Sequence, residues 1–245
     1  MIREVRFQIE VPGLTGIGKA AAALVEAIRP LQEQIAQIGR RWELAYPRML
    51  KDASQLGKMG WTVPMWGDPR FAAHLVHEVG ASGVDSYFLD HYKGPRANES
   101  KKMLTRVGSA DLLHPWHEVL EQAASAHRSR LHLVVVPTLL PVLEGALAAA
   151  AGQFRKGPNA RRQSKLLADV NHGRVSGIVL VSLHSFVTDL FESWKFESDP
   201  PERLNRHWIL HGRSPAKWTT ADALRLWHAL DSLAGVTEPA LSKAS

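Results

Sequence analysis

One short stretch of the chain concentrates the side chains that could do chemistry. Arg206, His207 and His211 lie close together between Pro201 and Gly212. An imidazole has an ordinary pKa of about 6.5 and can give or take a proton near neutral pH. A guanidinium stays charged and can hold two oxygens of an anion. This set of residues suits a reaction that needs proton transfer together with stabilisation of negative charge.

The flanking residues predict that this stretch is one helix of about three turns, because capping signals stand at both ends. Its start is formed by Ser198, Asp199, Pro200 and Glu202. Gly212 ends it and places His211 in the last turn. On an ideal helix His207 and His211 lie about 40° apart, whereas Arg206 and His211 lie about 140° apart. Convergence of all three requires distortion beside Gly212 or a second copy of the helix brought by a dimer axis. The alternative is an arginine in a surface ion pair and histidines satisfied in the core.

Two further groups of residues could support such a site. Glu144 shares a helical stripe with Leu140 and Leu147, so it points inward and needs a cation, for which Arg206 is the candidate. The alternative is that Glu144 reaches solvent. A polar stretch between residues 153 and 174 carries basic side chains that predict either a polyanion contact or a solvated loop. They include Arg155, Lys156, Arg161 and Arg162.

The composition narrows the class of protein. The 245 residues include 30 basic and 24 acidic side chains, a net charge of +6 that favours a polyanionic partner such as nucleic acid. The chain has no cysteine, which excludes disulfides and thiol nucleophiles and fits the cytoplasm. The start lacks the apolar run of a signal peptide, and the longest apolar tract, residues 131–151, is interrupted by polar residues and prolines. We therefore predict no membrane span.

The periodicities predict a mainly α-helical chain. Alternation between Val5 and Val11 indicates one short β-strand, and a helix follows from Lys19. This helix carries a heptad-like stripe of two heptads that is interrupted at Pro30, for which packing onto its own domain is favoured over a coiled-coil dimer. The stripe consists of Leu24, Ile28, Leu31, Ile35 and Ile38. We predict a mostly helical region of unknown role at 1–110, a helical domain at 111–236 and a frayed tail at 237–245.

Two other motifs are weaker. Residues Gly13–Lys19 have the spacing G-x4-G-K of a nucleotide-binding loop after the predicted strand, but Ala20 replaces the hydroxyl residue that would bind magnesium. A glycine-rich turn is the favoured alternative. The pairs His74/His77 and His114/His117 have a spacing that metal ligands can use. Neither pair matches a zinc-protease pattern, and we predict no metal site.

The segment Arg206–His211 resembles the R-[N/D/H]-x3-H signature of HEPN domains, the helical ribonucleases of toxin-antitoxin, phage-defence and CRISPR systems. Residues 136–145, followed by 204–207 and 210–212, are similar to an "IP-x-LL-x-x-x-EG" and "NRH-x-x-LHG" pair in uncharacterised bacterial HEPN-like proteins. The resemblance covers residues 115–235. It implies a HEPN-like helical bundle in the C-terminal half.

The resemblance also implies a chemistry: cleavage of RNA by its own 2′-hydroxyl, with neither metal nor cofactor. His211 would transfer the proton, Arg206 would hold the phosphate, and His207 would orient them or bind phosphate. Asn205 would hydrogen-bond the site, and Arg213 would contact RNA. Two protomers would form a composite site, and an antitoxin or defence-system protein would be a partner. The alternatives are a catalytically silent HEPN-like RNA-binding or scaffold module and, third, a nucleotide-binding protein that uses Gly13–Lys19.

Overall fold

The computed structural model describes residues 14–64, 67–68, 70–93, 97–153 and 159–241. These residues form helices and connecting turns, without a strand among them, so the predicted mainly α-helical class is confirmed. The predicted strand at residues 5–11 lies outside the described residues. The chain divides into two compact units, one up to Pro47 and the other from Arg48 onward.

The helices are α1 (Leu14–Lys58), α2 (Phe71–His74), α3 (Gly80–His91), α4 (Ala97–Ser109), α5 (His117–Arg128), α6 (His132–Ala150), α7 (Ala160–Val170), α8 (Val175–Leu190), α9 (Arg206–Leu210) and α10 (Thr220–Leu241). A π-helical turn, Leu75–Val79, joins α2 to α3, and a 3₁₀ segment, Asp111–Trp116, precedes α5.

Helix α6 forms the centre of the second unit and packs against α5, α7 and α10. Its sequence is apolar on almost every side, which is typical of a helix buried all round. Pro137 and Pro141 lie inside it, and the helix continues through both. Among the described residues α6 is the one helix that is long and apolar enough to cross a membrane, and half of it is buried within the fold. A core helix of this kind explains its composition.

Helix α10 is fixed at its start as the sequence predicts. The backbone N–H of Thr219 donates to Asp222 Oδ2 at 2.8 Å, which satisfies a polar group at the helix end. Trp227, Leu230 and Leu233 are then buried along one side. The helix continues to Leu241, five residues into the segment predicted to fray, and residues 242–245 lie outside the described part.

The domain boundary predicted near residue 110 falls inside the second unit, because residues before it pack with α10. Arg106 of α4 donates to both carboxylate oxygens of Asp231, at 2.8 and 2.7 Å. Thr62 lies 2.8 Å from Nδ1 of the buried His228. The ring of Trp61 is fully buried and stacks 4.0 Å from Phe88.

The stripe on α1 differs from its prediction. Its five side chains are exposed, because in the first unit the described residues form this one helix and offer no second layer to pack on. The G-x4-G-K motif also differs, since Leu14 to Lys19 form the first turns of α1 and Gly13 lies outside the described residues. A regular helix does not wrap around a phosphate as a nucleotide-binding loop does.

Candidate active site around Arg206, His207 and His211

The helix that carries the motif is shorter than the sequence predicts, since α9 begins at Arg206 and not at Pro201. Ser198 does not cap it, because its hydroxyl donates to the carbonyl of Lys195 at 2.6 Å. The cap is Asn205, which is buried in an extended conformation. Its Oδ1 accepts from the N–H of Trp208 at 3.1 Å, and its Nδ2 donates to the carbonyl of Glu192 at 2.9 Å. Asn205 therefore sets where the helix starts and ties it to the end of α8.

Helix α9 ends beside Gly212, as the sequence predicts. Gly212 adopts φ +65°, a left-handed conformation that glycine accommodates without strain. The N–H of Gly212 donates to Ile209 at 3.1 Å and that of Arg213 to Trp208 at 2.8 Å, the pair of bonds of a Schellman motif. Burial of Trp208 and Ile209 fixes the rotation of this single turn. His211 follows the helix directly and is exposed.

Arg206 is held by the acid that the sequence assigns to it. Its Nη2 donates to Oε2 of Glu144 on α6 at 2.9 Å, so the predicted pairing of these two residues is confirmed. The side chains are 31% and 17% exposed, which is enough for a ligand to reach the guanidinium from one side. Its Nε is buried and has no hydrogen-bond partner among the described residues. The guanidinium is thus fixed in direction and retains donor capacity.

The two histidines form a pair beside an aromatic ring. Their ring centroids lie 4.7 Å apart at an interplanar angle of 63°, which agrees with the prediction that His207 and His211 share a helix face. The ring of Phe196 stacks on His207 at 4.6 Å and 7°, and lies 5.8 Å from His211. The guanidinium of Arg213 lies 5.1 Å from the centre of the same ring. Phe196 therefore orders three of the polar side chains at once.

Sequence reasoning missed Phe196. It lies in the irregular segment between α8 and α9, where no periodicity marks a residue as facing the motif. The signal in the sequence is an aromatic residue between Lys195 and Glu197, ten positions before Arg206 and two after Trp194. Such a residue indicates a local contact but does not identify its partner.

A groove of about 350 Å³ opens beside Arg206. His207 and Glu144 line it from α9 and α6, and Arg161 lines it from the first turn of α7. Asn159, which caps α7 by accepting from Arg162 N at 3.1 Å, also lies on this wall. Two arginines from different helices therefore face one groove, as an anion with several negative oxygens requires. Arg162 is exposed on the same turn, and Arg155 and Lys156 lie outside the described residues.

The other histidine pairs lie away from this groove. His74 contacts Glu78 at 2.8 Å and His77 contacts Asp52 at 2.9 Å, so the two rings engage different acids. His117 lines a separate, larger groove of about 840 Å³ between α4 and α5. No group of three or more metal-ligating side chains is found in the described part of the chain.

Comparison of the chain with known proteins gives no match: no family model, no curated protein and no solved structure is similar to it. The meaning of the site therefore depends on its own geometry. That geometry is an arginine oriented by a carboxylate, a contacting pair of imidazoles and a second arginine that lines the same open groove.

Proposed function

We propose that this protein is a metal-independent endoribonuclease of the HEPN type, acting in the cytoplasm as a homodimer with a composite active site. The observation that carries the proposal is the placement of Arg206, oriented by Glu144, in one groove with His207, whose ring contacts that of His211. Proton transfer and charge stabilisation are the two things that cleavage of RNA by its own 2′-hydroxyl demands.

The reaction divides between these groups. An imidazole, for which His211 is the candidate, takes the proton of the 2′-hydroxyl as the 2′-oxygen attacks the adjacent phosphorus. The bond from phosphorus to the 5′-oxygen breaks, and a second imidazole gives that oxygen a proton. The products are a 2′,3′-cyclic phosphate and a 5′-hydroxyl end. Arg206 holds the phosphate oxygens, whose negative charge grows in the transition state.

The proposed dimer would complete the site with a second His211. Arg206 and His207 line the groove, whereas His211 is exposed and is not among the residues that line it. A two-fold axis near α9 would bring a second His211 toward the Arg206 of the other copy. That arrangement would supply one base and one acid to each scissile phosphate.

Arg161 extends the site along the RNA backbone. It lines the same groove as Arg206 and His207 and can contact a phosphate next to the one that is cleaved. Arg213, held over Phe196, offers a further cation at the exposed end of α9. These contacts would give binding that weakens with salt and carries little sequence information.

One observation favours a second function, a catalytically silent RNA-binding or scaffold module. Glu144 occupies part of the guanidinium that a catalytic arginine would offer to phosphate. In a module without activity the Glu144–Arg206 pair would serve the fold, and RNA would bind without being cut. A toxin or phage-defence role, with a partner protein that restrains the enzyme, is the setting in which we expect the active form.

The deciding experiment is incubation of the purified protein with mixed RNA in EDTA, followed by analysis of the new ends. We expect 2′,3′-cyclic phosphate ends from the wild type and none from Arg206→Ala or His211→Ala. Arg106→Ala is the matched control for Arg206, because it also breaks a half-buried ion pair, with Asp231. His114→Ala controls for removal of an exposed imidazole elsewhere. Both controls should cut normally.

Two results would reject the ribonuclease. Cleavage that persists in both site variants would come from another site or a contaminant. Binding of RNA by the wild type without any cleavage would establish the silent module instead. A single-stranded DNA of the same base sequence should bind and remain intact, since it lacks the attacking 2′-hydroxyl.

A further inference from the structure

Helix α1 presents an apolar stripe to solvent. Leu24, Ile28, Leu31, Ile35 and Ile38 are 62%, 38%, 56%, 59% and 66% exposed. They lie on one helix of 45 residues that continues through Pro30 and Pro47, a length that is unusual in a globular domain and typical of a coiled coil. Scattered exposed apolar side chains need no explanation, but five in helical register on one face do.

The stripe follows a heptad repeat written a to g. Ile28 and Ile35 hold position a, and Leu24, Leu31 and Ile38 hold position d. Leu14, Ile17 and Ala21 continue the same positions in the sequence, so the repeat extends over about three and a half heptads of helical backbone. An apolar seam with a repeat of 3.5 residues stays in contact along its whole length only with another helix of the same repeat. The repeat therefore indicates what kind of partner covers the seam.

The charges of this segment leave the seam free. Between residues 24 and 40 all four charged side chains, Glu26, Arg29, Glu33 and Arg40, hold the outer positions b and f. Arg29 and Glu26 also pair with each other at 2.6 Å on that outer face. With two acids and two bases, this face lacks the cationic excess of a helix that lies on a membrane surface.

We propose that α1 is the dimerisation element of this protein and joins a second copy of itself in a parallel, two-stranded coiled coil. The flanking e and g positions from Val25 to Gly39 carry no charge, so two identical chains meet without repulsion. A charged partner of another kind would find nothing there to select it. Isoleucine at a with leucine at d is the combination that favours two parallel strands.

This inference does not rest on the proposed ribonuclease activity. The coiled coil supplies a two-fold axis parallel to α1 whether or not the site is active. Association state and RNA cleavage are measured separately, so the failure of one can be told from the failure of the other.

The first test is the mass of the full-length protein in solution, by light scattering and sedimentation. We expect twice the 27.1 kDa of the single chain. The double variant Leu31→Lys/Ile35→Lys should remain helical and become monomeric, with dimerisation weakened at least a hundredfold. Leu44→Lys is the matched control, because Leu44 is 83% exposed on the same helix and lies outside the seam. Leu44→Lys should dimerise as the wild type does.

The second test fixes the orientation and uses the absence of native cysteine. Leu24→Cys and Ile38→Cys are both at position d and lie about 21 Å apart along the helix. In a parallel pair each variant forms a disulfide with its own kind on mild oxidation, and a mixture of differently tagged variants gives no mixed product. Glu33→Cys, on the outer face, should not cross-link.

Several outcomes would overturn the inference. A wild type that stays monomeric at high micromolar concentration leaves no dimer for α1 to make. A dimer that survives Leu31→Lys/Ile35→Lys uses another surface. Mixed Leu24→Cys and Ile38→Cys products alone would show an antiparallel pair, and a monomer that binds anionic vesicles through the stripe would show a membrane contact instead.

Discussion

Replacement of Glu144 and Arg206 by alanine, singly and together, measures how firmly the site arginine is held. The two charges are joined at 2.9 Å and their side chains are 17% and 31% exposed. At an effective dielectric constant of about 20, two charges centred about 4 Å apart attract by roughly 4 kcal/mol. Desolvation of both groups offsets part of this attraction, so we expect a coupling free energy of about 1–2 kcal/mol.

The assay is urea unfolding of the four proteins, followed by circular dichroism. A matched cycle on Lys165 and Asp169, which pair at 2.7 Å with both side chains 62% exposed, provides the reference. Exposed helix pairs of this kind contribute about 0.3–0.5 kcal/mol. A coupling between Glu144 and Arg206 no larger than that of the exposed pair would refute the reasoning, because burial would then contribute nothing to the orientation of the guanidinium.

Three further predictions concern the frame around the site. A side chain on Gly57 would overlap a backbone carbonyl of α8, whereas no described atom lies within 4 Å of a side chain placed on Gly39. Gly57→Ala should therefore lose about 1–3 kcal/mol of unfolding free energy, and Gly39→Ala should gain up to about 1 kcal/mol. Equal unfolding free energies of the two variants in urea would contradict this. Asn205→Ala removes both the helix cap and the hydrogen bond to the Glu192 carbonyl, and should lower the free energy of unfolding by about 1–3 kcal/mol. Asn205→Asp can form the cap but not the second bond, so it should restore only part of this loss. Burial lowers the pKa of His228 to about 3 and that of His127 to about 4, so both gain protons on unfolding once the pH falls below their ordinary value of about 6.5. The free energy of unfolding should therefore be highest above that pH and fall toward pH 4, at up to about 1.4 kcal/mol per pH unit for each histidine. An unfolding free energy that does not change with pH in urea titrations would contradict the burial of these two rings.

Some of the site could be predicted because its signals are local. The stop at Gly212 needs only a residue that tolerates positive φ, and the side-by-side placement of His207 and His211 follows from helix geometry alone. The pairing of Glu144 with Arg206 spans 62 positions, yet it was accessible because an acid on an apolar helix face requires a cation.

The residue at which α9 begins could not be predicted from local signals. Ser198, Pro200 and Glu202 form a favourable local start, but the chain uses Asn205, whose side chain can also reach the carbonyl of Glu192. One side chain that caps the helix and also bonds the chain just after α8 makes two hydrogen bonds, whereas the local start offers the cap alone. The balance depends on where α8 ends in space, which a local pattern does not contain.

The stripe on α1 shows the opposite failure. Its periodicity indicated an amphipathic helix correctly, but the preferred packing onto its own domain was wrong because the first unit has no second layer among its described residues. A heptad pattern fixes which face is apolar and leaves open what covers it. The exposed fractions of Leu24 and Ile38 are what separate the two interpretations.

The double engagement of Asn205 has a consequence for how this site could change. By bonding to Glu192 it closes residues 193–204 into a loop whose two ends are fixed against each other. Lengthening a closed loop costs little, since each doubling adds about 0.6 kcal/mol of chain entropy. Residues 199–203, beyond Phe196, can therefore be exchanged or extended while Arg206 and His207 keep their positions. Under the proposed function, new contacts to RNA could be grafted there without rebuilding α9.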